Sequence, residues 1–372
     1  MKGAYILITL LAFSNLQAQW LETVAGPTPR INNGLVVDSS GAVYASDLFG
    51  SGFNGNSIFL IQTNGNSSLV VSGLSQPAGL CLGPQRSLYI AEFSANRIRV
   101  LDSSGILHPF VNGMSQPADL VFNSQGQLFV SNYGNGTISK IESDTTVSTF
   151  CSGLNKPVGL CIDENDKLYV ANLQDGIIYK IPASGQKDSL TTIPNTPLGF
   201  MTYANGQLYV TATDANQVYQ IDINSRSYSV LIGTGISGNT NGAKDSAQFT
   251  KPDGIAISPN GDTLYVSENN SNLLRRIILS YGIGSWENRI NQELPFYPNP
   301  AKNQVFLDLK KFEGHQFRIE LISSDGKTMA LLYQGSKQGK LQIPLPKIAS
   351  GTYYLHIESD QSESSFPLRI CP

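Results

Sequence analysis

Between Asn32 and Ile277 one pattern of about 40 residues is written six times, which is the mark of a repeat architecture. Its plainest copies read QPAGLCLGPQRSLYIAE, QPADLVFNSQGQLFVSN, KPVGLCIDENDKLYVAN, TPLGFMTYANGQLYVTA and KPDGIAISPNGDTLYVSE. Pro77, Pro117, Pro157 and Pro197 are each 40 residues apart, Pro252 follows after 55, and Asn32 stands at that place in the first copy. Each copy holds four short runs. An apolar first run follows the Pro (Leu80–Leu82, Leu160–Ile162, Ile255–Ile257) and reads as a fully packed strand. The second run passes an aromatic position (Tyr44, Tyr89, Phe129, Tyr169, Tyr209, Tyr265), and the third alternates, as in Val218-Tyr219-Gln220-Ile221. The fourth is Leu107–Asn112, Val147–Ser152 or Ser229–Gly233. Four antiparallel strands per repeat make one propeller blade, so the predicted fold is all-β, a six-bladed β-propeller.

Turn chemistry and strand arithmetic agree with that reading. Asn56, Asn96, Gly136, Gly176, Asn216 and Asn272 occupy one repeat position between the second and third strands, and Gly and Asn enter positive φ at least cost. Only five fourth strands follow their third strands, and none follows Arg276-Ile277-Ile278-Leu279. The segment Leu21–Gly26 matches a fourth strand and lies before the first blade. It is predicted to pair into the last blade and close the ring, removing an open edge.

The 372 residues carry 25 Lys and Arg against 28 Asp and Glu. A net charge of −3 gives no field for nucleic acid or for an anionic membrane surface. Residues 1–18 read as a signal peptide: Lys2, an apolar run Ala4–Phe13, then Leu16-Gln17-Ala18. That run is too short to span a bilayer, and no later segment is long and apolar enough, so a mature chain without a transmembrane segment is expected. Cys81, Cys151, Cys161 and Cys371 show no disulfide or metal spacing and read as small hydrophobes.

The segment Gly233–Ile277, with its Gly-rich stretch, Ala-x-Phe, Pro-x-Gly-Ile, Leu-Tyr-Val and Arg-Ile, resembles the long form of an NHL repeat. Residues 20–280 are thereby similar to the propellers of the gluconolactonase and streptogramin-lyase-like superfamily. Arg86, in place of a turn Gly, and Asp119, in place of the Gly after Pro, depart from the repeat.

After a linker at 281–294, residues 295–372 read as a small β-sandwich, with period-two apolar faces in Val305-Phe306-Leu307, Phe317–Leu321 and Tyr353–Ile357. Its landmarks Pro298, Asn299, Pro300, Gly326, Gly351 and Tyr353 resemble the type IX secretion sorting domain, type A, of Bacteroidota. The resemblance implies handling by the outer-membrane type IX machinery. The expected route runs through the periplasm and the outer membrane, ending with secreted or cell-surface protein.

Candidate chemistry sits at the ends of the second strands: Asp47, Glu92, Asn132, Asn172, Ala212 and Glu268. Five of the six are acids or amides, one per blade. Two readings stay open. The oxygens converge on the axis around Ca²⁺ or a polyol, with Asp47, Glu92 and Glu268 the candidate metal ligands, or they cap the turns that follow. Gluconolactonase-like relatives imply a metal-binding Glu near Asn33-Gly34, where none stands, and streptogramin-lyase-like ones imply a catalytic His. His108 is on a predicted outer strand, and His315 and His356 lie in the second domain. No catalytic residue is assigned.

Two connections are long, five extra residues within LFGSGFNGNS of blade 1 and fifteen after Gly233 entering blade 6. Both emerge on one face of neighbouring blades, which makes Phe49, Phe53 and Phe249 candidate contacts. The Ala-x-Phe setting offers the other reading of Phe249, as a core anchor. The leading expectation is a binding module for a partner protein or a glycan. The alternative is a Ca-dependent lactonase or hydrolase of the gluconolactonase-like class.

Overall fold

The computed structural model describes residues 19–50 and 54–279, and, further on, 296–297, 303–308, 316–323, 328–336, 340–348, 351–359 and 363–370. The chain divides into two compact units, Met1–Gly282 and Ile283–Pro372. The first is a six-bladed propeller. Blade 2 shows the plan, with strands Pro77–Leu82, Leu88–Glu92, Arg97–Leu101 and Leu107–Asn112 hydrogen-bonded in that order from the innermost outwards. In blades 2 to 6 the first pair of strands carries a bulge just after the start of the inner strand, as between Pro77 and Leu80.

Apolar side chains on both faces of each blade meet those of the next. Ile58, Leu80, Ile90 and Leu101 form a cluster shared by blades 1 and 2. Equivalent clusters follow around the ring, up to Ile31, Val43, Ile61, Tyr265 and Leu274 between blades 1 and 6. The core is therefore six packed interfaces rather than one globule.

Closure follows the strand count. Gln19–Ala25 runs antiparallel to Leu274–Leu279, with Leu21 opposite Ile277 and completely buried. The long connection into blade 6 adds a fifth strand, Gly242–Ala243, to the outer side of this segment, opposite Leu21 and Trp20. The predicted turn position takes positive φ at Asn96, Gly136, Gly176, Asn216 and Asn272, between 51 and 68°. Asn56 does not, because the longer connection of blade 1 turns differently. Arg86, with φ of 60°, adopts the conformation for which the repeat ordinarily uses Gly.

In the second unit Phe296–Tyr297, Gln304–Asp308 and Lys340–Pro344 form one sheet. Thr328–Gly335, Phe317–Ser323, Gly351–Ser359 and Glu363–Ile370 form another, in that order. Val305, Leu307, Leu341 and Ile343 of the first sheet and Ile319, Leu321, Leu355 and Leu368 of the second share one apolar cluster, as a sandwich requires. Of the sorting landmarks, Gly351 opens a strand and Tyr353 packs on that cluster. Pro298, Asn299, Pro300 and Gly326 lie outside the described residues, as do the expected signal at 1–18, the expected linker at 281–294, His315 and Cys371.

Candidate functional site

Each second strand ends beside the start of its inner strand, with Glu92 opposite Pro77, Asn132 opposite Pro117, Asn172 opposite Pro157 and Glu268 opposite Pro252. Glu92, Asn132, Asn172 and Glu268 are all buried. Glu92 Oε1 accepts the Ser75 backbone N–H at 2.8 Å, while Arg97 donates to Oε2. Asn132 Oδ1 accepts the Ser115 N–H at 3.0 Å, and its amide donates to Thr137 Oγ1 and Ser139 Oγ. Glu268 accepts from the Arg275 guanidinium at 2.6 Å, from the Ser271 hydroxyl and from the Thr250 backbone. Ser75, Ser115 and Thr250 each stand two residues before the inner-strand Pro. The bond is one device used three times, tying the end of the second strand to the loop that enters its blade.

The other two places differ. Asp47 is half-buried and its Oδ1 accepts from Asn32 Nδ2 at 2.9 Å and from the Gly50 N–H at 2.8 Å. Asn172 donates to Asp175 Oδ2 at 3.2 Å, leaving its own buried Oδ1 without a donor among the described residues. Among those residues no three His, Cys, Asp or Glu are grouped so as to hold a metal ion. Asp47, Glu92 and Glu268 are accordingly three separate side chains, each bonded close to its own blade. Phe53 lies outside the described residues, Phe49 is half-buried, and Phe249 is fully buried in the cluster joining blades 5 and 6.

Polar groups that the repeat pattern did not single out as a site lie on the innermost strands or just before them. Asn33 Nδ2 donates to Asp253 Oδ2 at 2.8 Å across the closing interface, and Asn33 Oδ1 is buried without a donor among the described residues. Asp119 occupies the place held by Gly34, Gly79, Gly159, Gly199 and Gly254 in the other blades. Its two oxygens accept the backbone N–H groups of Leu120 at 2.9 Å and Leu160 at 2.8 Å, so it bridges blades 3 and 4. Burial pushes both carboxyls up, to about 7. The sequence signal for Asp119 was its departure from Gly; for the Asn33–Asp253 contact it was the shared repeat position, just after the Pro site.

These groups test the metal that gluconolactonase-like propellers imply. Asn33 supplies an amide oxygen where the resemblance asks for a Glu, and the Asp253 oxygen nearest it is already bonded to the amide N–H. Two oxygens of this kind do not make a Ca²⁺ cage, which takes six to eight oxygen ligands.

The remaining candidates for chemistry are structural. His108 is exposed on an outer strand, with Nε2 2.8 Å from Asp102 Oδ2. Cys81, Cys151 and Cys161 are free, and burial raises the Cys81 thiol to about 12, far from a reactive thiolate.

The molecule is thus an all-β, closed six-bladed propeller joined to a sandwich, and residues 295–368 of that second unit match the secretion system C-terminal sorting domain family. Such a domain directs export to the cell surface or the medium. Among solved structures, the propeller is similar to a gluconolactonase from Xanthomonas campestris, at 13% identity and a TM-score of 0.58 over 70% of this chain and 89% of that one. Virginiamycin B lyase from Staphylococcus aureus aligns at 16% identity and a TM-score of 0.53, over 70% and 99%. An auxiliary nutrient binding protein from Bacteroides thetaiotaomicron aligns at 11% identity and a TM-score of 0.59, over 71% and 77%. At such identities the likeness is one of fold. No curated protein sequence matches the chain.

Proposed function

We propose that the chain is an exported propeller whose task is binding, of a partner protein or a glycan, at the cell surface or in the medium. The observation that carries the reading is the use made of the strand-end acids. Glu92 and Glu268, which the sequence offers as candidate metal or ligand groups, are buried and bonded to backbone and to Arg97 or Arg275. A closed ring with such ties is a rigid platform for the loops on its face. The nutrient-binding protein of similar fold supports the same reading.

In this proposal residues 1–18 are an export signal of NHL-type propeller 20–280, 281–294 are a linker, and 295–372 are recognised by type IX secretion machinery of the Bacteroidota kind. The test uses the purified full chain against a glycan panel, surface proteins and a lactone panel, with elemental analysis of the same sample. Retention of a glycan or surface protein without turnover is expected. Stoichiometric Ca²⁺ together with lactone hydrolysis would overturn the binding reading. Removing 295–372 is expected to hold the protein behind the outer membrane, and normal surface display after that deletion would overturn the export route.

A further inference from the structure

On the face where the second strands end, the next residue turns back over the entry to the inner strand. The N–H groups of Phe93, Tyr133 and Leu173 donate to the carbonyls of Gln76, Gln116 and Lys156 at 3.0, 3.1 and 2.9 Å. Asn269 does the same to Lys251 in blade 6. Backbone geometry is thus shared by blades 2, 3, 4 and 6, but side-chain chemistry is not. Blades 2, 3 and 4 place partly exposed Phe, Tyr and Leu there, whereas blade 1 places the buried Leu48 and blades 5 and 6 place Thr213 and Asn269.

This half-ring is continuous across three blades. The rings of Phe93 and Tyr133 lie 5.6 Å apart at 55°. Tyr133 and Leu173 rest on the cluster that holds Ala118, Val158 and Phe200 of the inner strands, and all three side chains remain half-buried. Lys156 Nζ stands 4.3 Å from the centre of the Tyr133 ring. The lysine at the same place in blade 6, Lys251, is 3.5 Å from Asp214, but Lys156 has no anionic partner among the described residues. The Tyr133 ring therefore adjoins both the Phe93 ring and an ammonium whose charge is not neutralised, and the Gln76 side chain beside them accepts the Ser94 hydroxyl.

We infer that this rim, formed by blades 2 to 4, binds a carboxylate-bearing saccharide, with the sugar's C–H face on Phe93, its edge against Tyr133 and its carboxylate on the Lys156 ammonium that lies over the Tyr133 ring. The inference deepens the proposed binding reading and rests on it. Half-exposed aromatic rings suit a ligand ring that is apolar on its faces and polar at its edges. The unpaired ammonium selects the acidic sugar over the neutral one, since a charge-assisted hydrogen bond is the stronger kind.

Calorimetric titration of the full chain tests this with oligogalacturonate and sialyllactose, each beside a neutral counterpart, maltotetraose and lactose. Saturable binding of an acidic sugar is expected, and which of the two binds identifies its source. Lys156→Gln should weaken that binding about tenfold, the equivalent of 1.4 kcal/mol, and leave neutral sugars unchanged. Phe93→Leu with Tyr133→Leu keeps the apolar packing, removes the ring faces and should weaken both classes; an unchanged melting curve shows that the fold is kept. No binding of either acidic sugar, or wild-type affinity in the Lys156→Gln protein, overturns the inference. Should a neutral glycan or a surface protein bind all variants equally, the rim assignment falls while the binding reading stands.

Discussion

Arg275 and Glu268 form an ion pair, 2.6 Å apart, with both side chains fully buried. The same guanidinium donates to the Gln248 and Thr240 carbonyls and to Asn241 Oδ1, all on the long connection into blade 6. Phe249 lies under it, with the ring centre 5.6 Å away. One side chain thereby fastens the inserted segment to the closing blade, and that segment in turn covers the strand Gln19–Ala25. Arg275→Met leaves the Glu268 charge buried and unpaired, at a cost of about 3–5 kcal/mol. Adding Glu268→Gln should restore much of it. Urea unfolding followed by circular dichroism reads both, and a single variant within 1 kcal/mol of wild type would show that the clamp is dispensable.

The glycines after the inner-strand Pro are set by the neighbouring blade. A Cβ on Gly254 would stand 2.0 Å from the Asn33 carbonyl oxygen, and one on Gly34 would stand 2.3 Å from that of Ala78. Both contacts are with backbone, so nothing flexible can yield. Gly254→Ala is expected to cost about 1–3 kcal/mol through overpacking at the closing interface. Gly113→Ala is the contrast, because its Cβ would meet nothing within 4 Å and only its positive φ is strained. Equal losses of melting temperature in the two would argue against contact between blades as the cause.

How far the sequence carried depends on whether a residue answers to its own repeat or to a distant one. The six blades, the closing strand at the N-terminus and the positive φ of Asn96 or Asn272 follow from spacing, which is a local property. The alternatives left open for Glu92, Asn132 and Glu268 could not be separated in that way, because their partners are set by how the entry loop lies across the strand end. Asn33 and Asp253 meet across 220 residues of chain. The Ala-x-Phe setting offered Phe249 of the long connection as a core anchor, and it is fully buried with Ala247, but that Gly242–Ala243 joins a sheet was not legible. Glycine-rich composition reports turns, and it does not report what those turns enclose.

A hydroxyl one place before the strand end links blades in four of six repeats. Ser46 donates to the Ala78 carbonyl at 2.8 Å, Ser131 to Val158 at 2.7 Å, Thr211 to Asp253 at 2.5 Å and Ser267 to Asn33 at 2.6 Å. Ala91 and Ala171 stand at the same place in blades 2 and 4, so the ring tolerates the loss. Ser46→Ala and Ser131→Ala should each cost about 1 kcal/mol. Their interfaces are separate and the costs should add, which the double variant's unfolding midpoint measures. Marked non-additivity would mean that strain passes around the ring.

Asp119 and Asp253 give the propeller a pH dependence above pH 4, and Glu268, also raised by burial, acts in the same sense. Burial is the first cause of both raised Asp values, and the folded chain holds these protons up to about pH 7, whereas an unfolded Asp releases its proton near pH 4. The folded state is therefore favoured while the carboxyls are protonated, and stability falls as the pH rises from about 4 to 7, then levels off. Carboxylates with lowered values, among them Asp102, Asp144 and Asp222, titrate below this window and act in the opposite sense there. Thermal unfolding should give a higher melting temperature at pH 5 than at pH 8. Asp253→Asn and Asp119→Asn should each flatten that slope, because an amide has no proton to release in this range. A wild-type melting temperature that climbs from pH 5 to pH 8, or a slope untouched in both variants, would show that these inner-strand carboxyls are ionised in the folded ring.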